Sequence, residues 1–352
     1  MLEVYNEEDP KGTCERLDLC EVFDVRAALV GEEPIDFAKH IDVVNSNVNS
    51  TWVAGHNDKF AGASKKEIQR TLGTVVDPDW TLKAEFEVPA GLYADDIPDT
   101  FDSRTNWPKC EYVINNVRDQ ANCGSCWAHG TTEAFNDRKC IESDGFFHDF
   151  FSVSDTTGCC NFLQCQSMGC NGGQVATPWK WFTKKGVVTG GNLGDNIFCY
   201  DYTMPQCAHH VESTTMKPCE DIPQVAPKCD STCPSNKAID YSTDKVLATS
   251  SYGFGMIDNV EKIKADIAQY GTVTAAFTVY EDFPTYKSGV YQHTTGSALG
   301  GHAIKVIGWG NEDGTDYWLA VNSWNNTWGD KGLFKIKQGD CGIDRQMHAG
   351  RP

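Results

Sequence analysis

Sixteen cysteines in a chain of 352 residues limit what this sequence can become more than any other feature. Cytosolic chains keep few thiols, so a dense and scattered set points to disulfides made on an oxidising route. Metal is the competing use. The candidate clusters are Cys159, Cys160, Cys165 and Cys170, and the stretch Cys199 to Cys233 with His209 and His210 inside it. Neither has the paired CxxC spacing of a zinc ribbon, and the one CxxC, Cys123 to Cys126, stands alone. No metal and no cofactor is expected. An exported chain starts with a signal peptide, yet MLEVYNEEDP has no apolar run, so that peptide is expected to be already removed.

Charge narrows the partners. The net charge of −19 argues against nucleic acid and anionic membrane, and no stretch approaches the roughly 18 apolar residues that span a bilayer. The charge is unevenly placed. Residues 1–96 hold 20 acidic and 9 basic residues, a net of −11, against −8 for the remainder. Such a stretch is either a solvated surface or a segment whose carboxylates protonate together in an acid compartment and loosen its contacts.

Two regions follow from the patterning. Over residues 1–95, turn and charge signals come first, with Cys14 and Cys20 near enough for a local bridge. Short helices are expected over 35–48 and 64–72, the second opened by a capping box of Ser64 and Glu67. Val75 to Pro98 reads as a linker, and a compact unit, 96–352, begins near Ile97. In that unit SCWAHGTTEAFNDRKCIES places Trp127, Thr131, Ala134, Phe135, Arg138 and Ile141 on one helical face. Gly158 to Pro234 has little periodicity and reads as disulfide-held loop. A helix over Val260–Tyr270 should stop at Gly271, beside strands at TVTAAFTVY, HAIKVIGW, YWLAV and GLFKIK. A helical half and a β half within one unit imply a cleft between two lobes.

The chemistry concentrates at Gln120-Ala-Asn-Cys123-Gly-Ser-Cys126-Trp127-Ala. A thiol attacks as its thiolate, and Cys126 stands where a helix begins, which favours an anion. A redox CxxC is the alternative, but dithiol exchange does not demand Gly-Ser followed by a bulky Trp. Far downstream lie Gly300-Gly301-His302-Ala303, opening a strand, and Asn322-Ser323-Trp324.

With these three motifs in this order, the chain resembles the papain family of cysteine proteases, and most of all its cathepsin B branch, over residues 35–352. The resemblance implies an α+β, papain-like two-lobed fold, a helical lobe plus a β-barrel-like lobe, behind an N-terminal propeptide (1–95). It implies Cys126 as nucleophile, His302 as base, Asn322 to orient it under Trp324, and Gln120 with the Cys126 N–H for the oxyanion. Cys170-Asn-Gly172-Gly173 matches the stretch that pairs with extended substrate. Ala276, Ala303 and Gln346 should floor the pocket for the residue second before the scissile bond. The propeptide match rests on Trp52-Val-Ala-Gly55-His56-Asn57 and Leu72-Gly73-Thr74, with the segment after Gly73 running backwards past Cys126. Release is expected within Ala94–Asp99.

A disulfide insertion, Cys207 to Cys219, resembles an occluding loop in which His209 and His210 grip a substrate's terminal carboxylate and Asp119 holds His209. By the same resemblance the bridges are Cys110–Cys140, Cys123–Cys170, Cys159–Cys229, Cys160–Cys165, Cys199–Cys233 and Cys207–Cys219, which leaves Cys126 free and Cys341 without a partner. His129 stands where the family has an aromatic residue; it is either a packing substitute or a group that tunes the thiolate. Asn49 is the expected glycosylation acceptor, and the sequon at Asn325 is not. Implied partners are peptide and protein substrates, the chain's own propeptide and cystatin-like inhibitors. The implied form is a monomer on the secretory pathway, bound for an acidic, lysosome-like compartment or secreted. Two other readings compete: transglutaminase-like acyl transfer, which lacks the Gln120, Gly173 and Trp324 setting, and a catalytically weak homologue acting as a binding protein, which predicts loss of Cys126, His302 or Asn322.

Overall fold

The structure is a computed structural model that describes residues 33–76, 97–208, 216–223, 225–255 and 259–352. Cys14, Cys20, His209, His210 and linker residues 77–96 lie outside the described residues.

The N-terminal segment is made of short, well-capped pieces. The Asp36 carboxylate accepts from the Lys39 amide at 3.0 Å and starts α1 (Phe37–Ser46). A strand, β1 (Trp52–Ala54), follows; three residues are too few for alternation to show in sequence. α2 (Lys65–Thr71) opens on the capping box of Ser64 and Glu67.

After β2 (Phe101–Asp102), the helices longer than one turn among the described residues of the helical lobe are α3 (Cys126–Glu142), α4 (Val153–Cys159) and α5 (Ala176–Lys185). They enclose one core of Trp127, Phe135, Trp179 and Phe182. Two expectations need correction here. α3 does not bury a single face: Glu133, Asn136, Asp137 and Arg138 are buried beside Trp127 and Phe135, because both lobes pack on this helix. The stretch 158–234 is not loop throughout either. α5 runs ten residues inside it, with Pro178 in its first turn and Gly186 (φ +67) closing its end.

The other lobe is a sheet around a larger core that includes Trp318, Trp324, Trp328 and Phe277. Its elements are β3 (Ser250–Gly253), α6 (Val260–Tyr270), β4 (Val273–Tyr280), β5 (Tyr286–Tyr291), β6 (Ala298–Glu312), β7 (Thr315–Val321), β8 (Leu333–Lys337) and β9 (Gln346–Arg351). The strand order is β1-β5-β8-β7-β6-β4-β9-β3, with β2 on β6; β5 and β8 are parallel and the other pairs antiparallel. The segment's β1 is therefore an edge strand of the body's own sheet, pairing Trp52 with Gly289. Trp52 is buried there against Tyr286 and Tyr291 and donates its indole N–H to the Gln292 carbonyl at 2.9 Å.

Buried charge joins the lobes. Arg138 of α3 spends every donor: Nε on the Thr272 carbonyl, Nη1 on Tyr252 and the Gly350 carbonyl, Nη2 on Asp266 and the Gly271 carbonyl. Lys305 of β6 reaches Asp137 of α3 at 2.9 Å. α3 and β6 are thereby held face to face. The described residues hold six disulfides, Cys110–Cys140, Cys123–Cys170, Cys159–Cys229, Cys160–Cys165, Cys199–Cys233 and Cys207–Cys219, and two free thiols, Cys126 and Cys341.

Candidate active site

Cys126 is the first residue of α3, where uncompensated N–H groups and the helix dipole favour an anion. The Cys123–Cys170 bridge fixes the loop that leads into it. Facing it, β6 presents His302, opposite Phe277 of β4. His302 Nε2 lies 2.7 Å from Asn322 Oδ1, which also accepts from the Ser323 amide at 2.8 Å. An amide oxygen only accepts, so Nε2 carries the hydrogen and Nδ1 the lone pair. Trp324 stacks on the ring at 4.6 Å between centroids and keeps water from it. Nδ1 is buried and meets no hydrogen-bond partner among the described residues.

The sulfur meets the N-terminal segment instead. Thr74 Oγ1 lies 3.1 Å from Cys126 Sγ. Burial dominates the titration of both reactive groups. It raises the Cys126 thiol, against the Thr74 hydroxyl and the N–H groups of Ala303, Gly73 and Trp127, and it lowers His302 to about 4, against the Asn322 bond. In this form the pair is a neutral thiol and a neutral imidazole.

The same segment fills the groove between the lobes. The Gly173 amide donates to the Gly73 carbonyl at 2.8 Å, the Val75 amide to the Gly173 carbonyl at 3.2 Å and the Thr74 amide to the Gly301 carbonyl at 3.1 Å. Thr74 bridges Gly173 in parallel and Gly301 in antiparallel sense. Gln120 Nε2 donates to the Thr71 carbonyl at 2.7 Å, and Ser323 Oγ fixes the amide by donating to its Oε1 at 2.7 Å. Two glycines are required by contact alone. A Cβ on Gly73 would sit 1.6 Å from the Gly124 oxygen, and one on Gly301 2.1 Å from the Thr74 oxygen.

Around the thiol, Ala276, Ala303 and Val175 form a small buried apolar cluster with Cys126. Gln346, buried, pairs in register with Ala276. The sequence pointed to the two alanines and Gln346; Val175, in a stretch without periodicity, gave no signal. Asp119, expected to hold His209, is engaged here by the N-terminal segment. Its Oδ1 takes an ion pair from Lys59 at 3.1 Å, both side chains buried, and a bond from the Ala121 amide, while Oδ2 accepts from Asn325 Nδ2 at 3.2 Å. Beside Lys59, Phe60 packs edge-on to Trp324 at 4.8 Å. Nothing in the sequence marked Lys59 or Phe60, since their partners lie 60 and more residues away.

A family model for papain family cysteine proteases matches residues 97–351. The chain belongs to the papain family. Cathepsin B-like cysteine proteinase 5 of Caenorhabditis elegans is 41% identical over 317 residues, 89% of each chain. Cathepsin B-like cysteine proteinase 4 of the same organism is 44% identical over 261 residues, 73% of this chain and 76% of that one. Among solved structures, procathepsin B S9 from Trypanosoma congolense superposes with a TM-score of 0.72 at 28% identity, over 90% of this chain and 97% of that one.

The protease is thus a cathepsin B-like cysteine peptidase in precursor form, with a papain-like α+β fold. Its insertion is closed by Cys207–Cys219 and tied to the Gln120–Cys126 loop by Asn122 Nδ2, which donates to the Cys219 carbonyl at 3.2 Å. Of the two sequons, Asn49 is exposed, whereas the Asn325 amide is engaged with Asp119.

Proposed function

We propose that the chain is a latent peptidase in which residues 1–95 block a Cys126–His302 centre, and that residues 96–352 hydrolyse peptides once the segment leaves. The observation that carries this is the path of Thr71 to Val75. A substrate would set its scissile carbonyl on Gln120 and its preceding residues along Gly172 and Gly173, so it runs from Gly173 toward Gln120. The segment runs the other way, from Thr71 on Gln120 to Val75 on Gly173, and meets the sulfur with a side-chain hydroxyl.

With the groove open to water, the desolvation that keeps both groups neutral falls away, and Cys126 can pass its proton to His302. Sγ then attacks the carbonyl carbon, the oxyanion is held by Gln120 Nε2 and the Cys126 N–H, and the C–N bond breaks as His302 protonates the amine. Water, deprotonated by His302, hydrolyses the thioester. Asn322 holds the Nε2 hydrogen throughout, so that Nδ1 takes up and releases the proton.

The Cys207–Cys219 insertion gives dipeptidyl carboxypeptidase action, His210 meeting the substrate's terminal carboxylate and His209 turning to Asp119, with endopeptidase action when the insertion swings away. The disulfides support passage through the secretory route to an acidic compartment or to secretion; a glycan on Asn49, cystatin-like inhibitors and a monomeric state are what the cathepsin B likeness implies. The test is to acidify the purified chain and offer one peptide cut two residues from its C-terminus and one cut internally. Both should be hydrolysed, and His209→Ala should shift the ratio toward internal cleavage. Full activity of the uncleaved chain at neutral pH would overturn the latency, and an unchanged ratio would overturn the role of the insertion.

A further inference from the structure

Ser125 sits at the N-cap of α3, a place where serine ordinarily turns its hydroxyl onto the second or third helical amide. Here it makes no such bond. Its Oγ lies 2.9 Å from Tyr202 Oη and 3.3 Å from His129 Nδ1. Tyr202 Oη in turn donates to the Gln120 carbonyl at 2.9 Å. His129 Nδ1 is also 3.1 Å from the Ser125 carbonyl, and its ring stands edge-on to Tyr202 at 4.9 Å. All four residues are buried.

The hydrogens of this chain of bonds can be assigned. Burial presses the His129 pKa down to about 3, so the ring is neutral and has one N–H. A carbonyl only accepts, so that hydrogen is on Nδ1, shared between the Ser125 carbonyl and hydroxyl oxygens. Tyr202 has one hydrogen and gives it to the Gln120 carbonyl; its oxygen therefore accepts from Ser125. The direction is fixed from end to end: His129 to Ser125 to Tyr202 to Gln120. Nε2 of His129 is buried without a partner among the described residues, so Nδ1 is the ring's single anchor.

We propose that His129, Ser125 and Tyr202 are positioning residues that set the oxyanion site by fixing Gln120 and the residue before Cys126 from behind. This inference rests on the roles given above to Cys126 and Gln120. Both halves of that site, the Gln120 amide and the Cys126 N–H, flank the Ser125–Tyr202 contact, so a slack chain lets them drift relative to one another. Displacements of a fraction of an ångström are enough to weaken bonds aimed at a transition state.

The test expresses the full chain with His129→Phe, Tyr202→Phe or both, activates it, and assays the mature enzyme. His129→Phe keeps an aromatic ring and removes the donor. Each single variant should lower kcat about tenfold with KM within about twofold, since only the transition state feels the oxyanion site. The double variant should lose no more than either single one, because one chain is broken in both. His129→Asn, which restores a donor near Nδ1, should recover most of the loss. Alkylation of Cys126 by iodoacetamide develops no oxyanion, and its rate should stay at the wild-type value in all of them. Unchanged kcat in both single variants, or losses that multiply in the double variant, would sink the proposal. Failure of wild-type Cys126 to alkylate would instead sink the assignment of the nucleophile.

Discussion

At the scale of single residues, the two free thiols differ by surroundings rather than by chemistry. Cys341 is raised far above the ordinary thiol range by burial and by Asp340 and Asp282, and its neighbourhood belongs to the body of the protease. Cys126 is raised by burial, against lowering contacts that include Thr74 and Gly73, and the N-terminal segment lies on its sulfur until activation. Iodoacetamide should therefore label neither thiol rapidly in the latent chain and Cys126 first after activation, while Cys126→Ala folds and hydrolyses nothing. Peptide mapping decides it: Cys341 labelled ahead of Cys126 after activation would reverse the assignment. Gln346 makes a second prediction. It is buried beside Ala276 and offers an arginine side chain no opposite charge, and an unpaired buried cation is costly. Phe, Leu or Val should be preferred over Arg at the second position before the cut, and Gln346→Glu should raise kcat/KM for Arg about tenfold, the scale of one charge-assisted bond. A wild-type kcat/KM favouring Arg would refute it.

At the scale of elements, α3 is the beam on which both lobes rest, and Arg138 is its principal fastening. Removing one partner of a buried pair leaves the other charge stranded, at roughly 3–5 kcal/mol. Arg138→Met in the Cys126→Ala chain should lower unfolding stability by about that amount in urea, and adding Asp266→Leu should recover much of it; a loss under about 1 kcal/mol would mean the contacts are dispensable. The same helix shows what the sequence could convey. Its start was legible because Cys-Gly-Ser-Cys-Trp is local, as was the capping box at Ser64. Its all-round burial was not, because Glu133 and Asp137 look like a solvent face until Lys305, more than 160 residues away, comes back to meet them. α5 was missed for the opposite reason: its Trp-rich apolar residues lie among cysteines, glycines and prolines that hide a 3.6-residue period. Among the site residues, His302, Asn322 and Gln120 could be named from their motifs. Thr74 on the sulfur could not, since that depends on where the segment's backbone enters the groove.

At the scale of the whole molecule, the question is what holds the segment down and what acid does to it. The acidic N-terminal region suggested that its own carboxylates hold it and release it. Among the described residues the polarity is the reverse: Lys59 and Lys65 of the segment pair with Asp119 and Glu281 of the body. Burial tends to raise both carboxyls, but Lys59, the Ala121 amide and Asn325 outweigh it at Asp119, and Lys65 and Ser297 do so at Glu281, leaving both below their ordinary values. A depressed carboxyl contributes fully above its unfolded value and is lost only as pH falls through the lower, folded one. These pairs therefore survive at pH 5. Mild acid must then act elsewhere, or by cleavage of chains that open briefly. Lys59→Met strands Asp119 and should weaken docking by roughly 3 kcal/mol, raising hydrolysis by the uncleaved chain about a hundredfold at pH 7. The stranded carboxyl keeps the burial that raises it and loses the lysine that lowered it, so it takes up a proton more readily and the excess should shrink as pH falls. Asp119→Asn should open the latent chain as well, but if Asp119 later receives His209 it must also raise internal cleavage in the activated enzyme, which Lys59→Met leaves untouched. In the latent chain Lys59 and the Ala121 amide take Oδ1 of Asp119 and Asn325 takes Oδ2, so the His209 contact proposed for the activated enzyme would compete with the segment for this carboxylate. Hydrolysis by uncleaved Lys59→Met no faster than by the unaltered chain at pH 7 would show that the pair does not hold the segment.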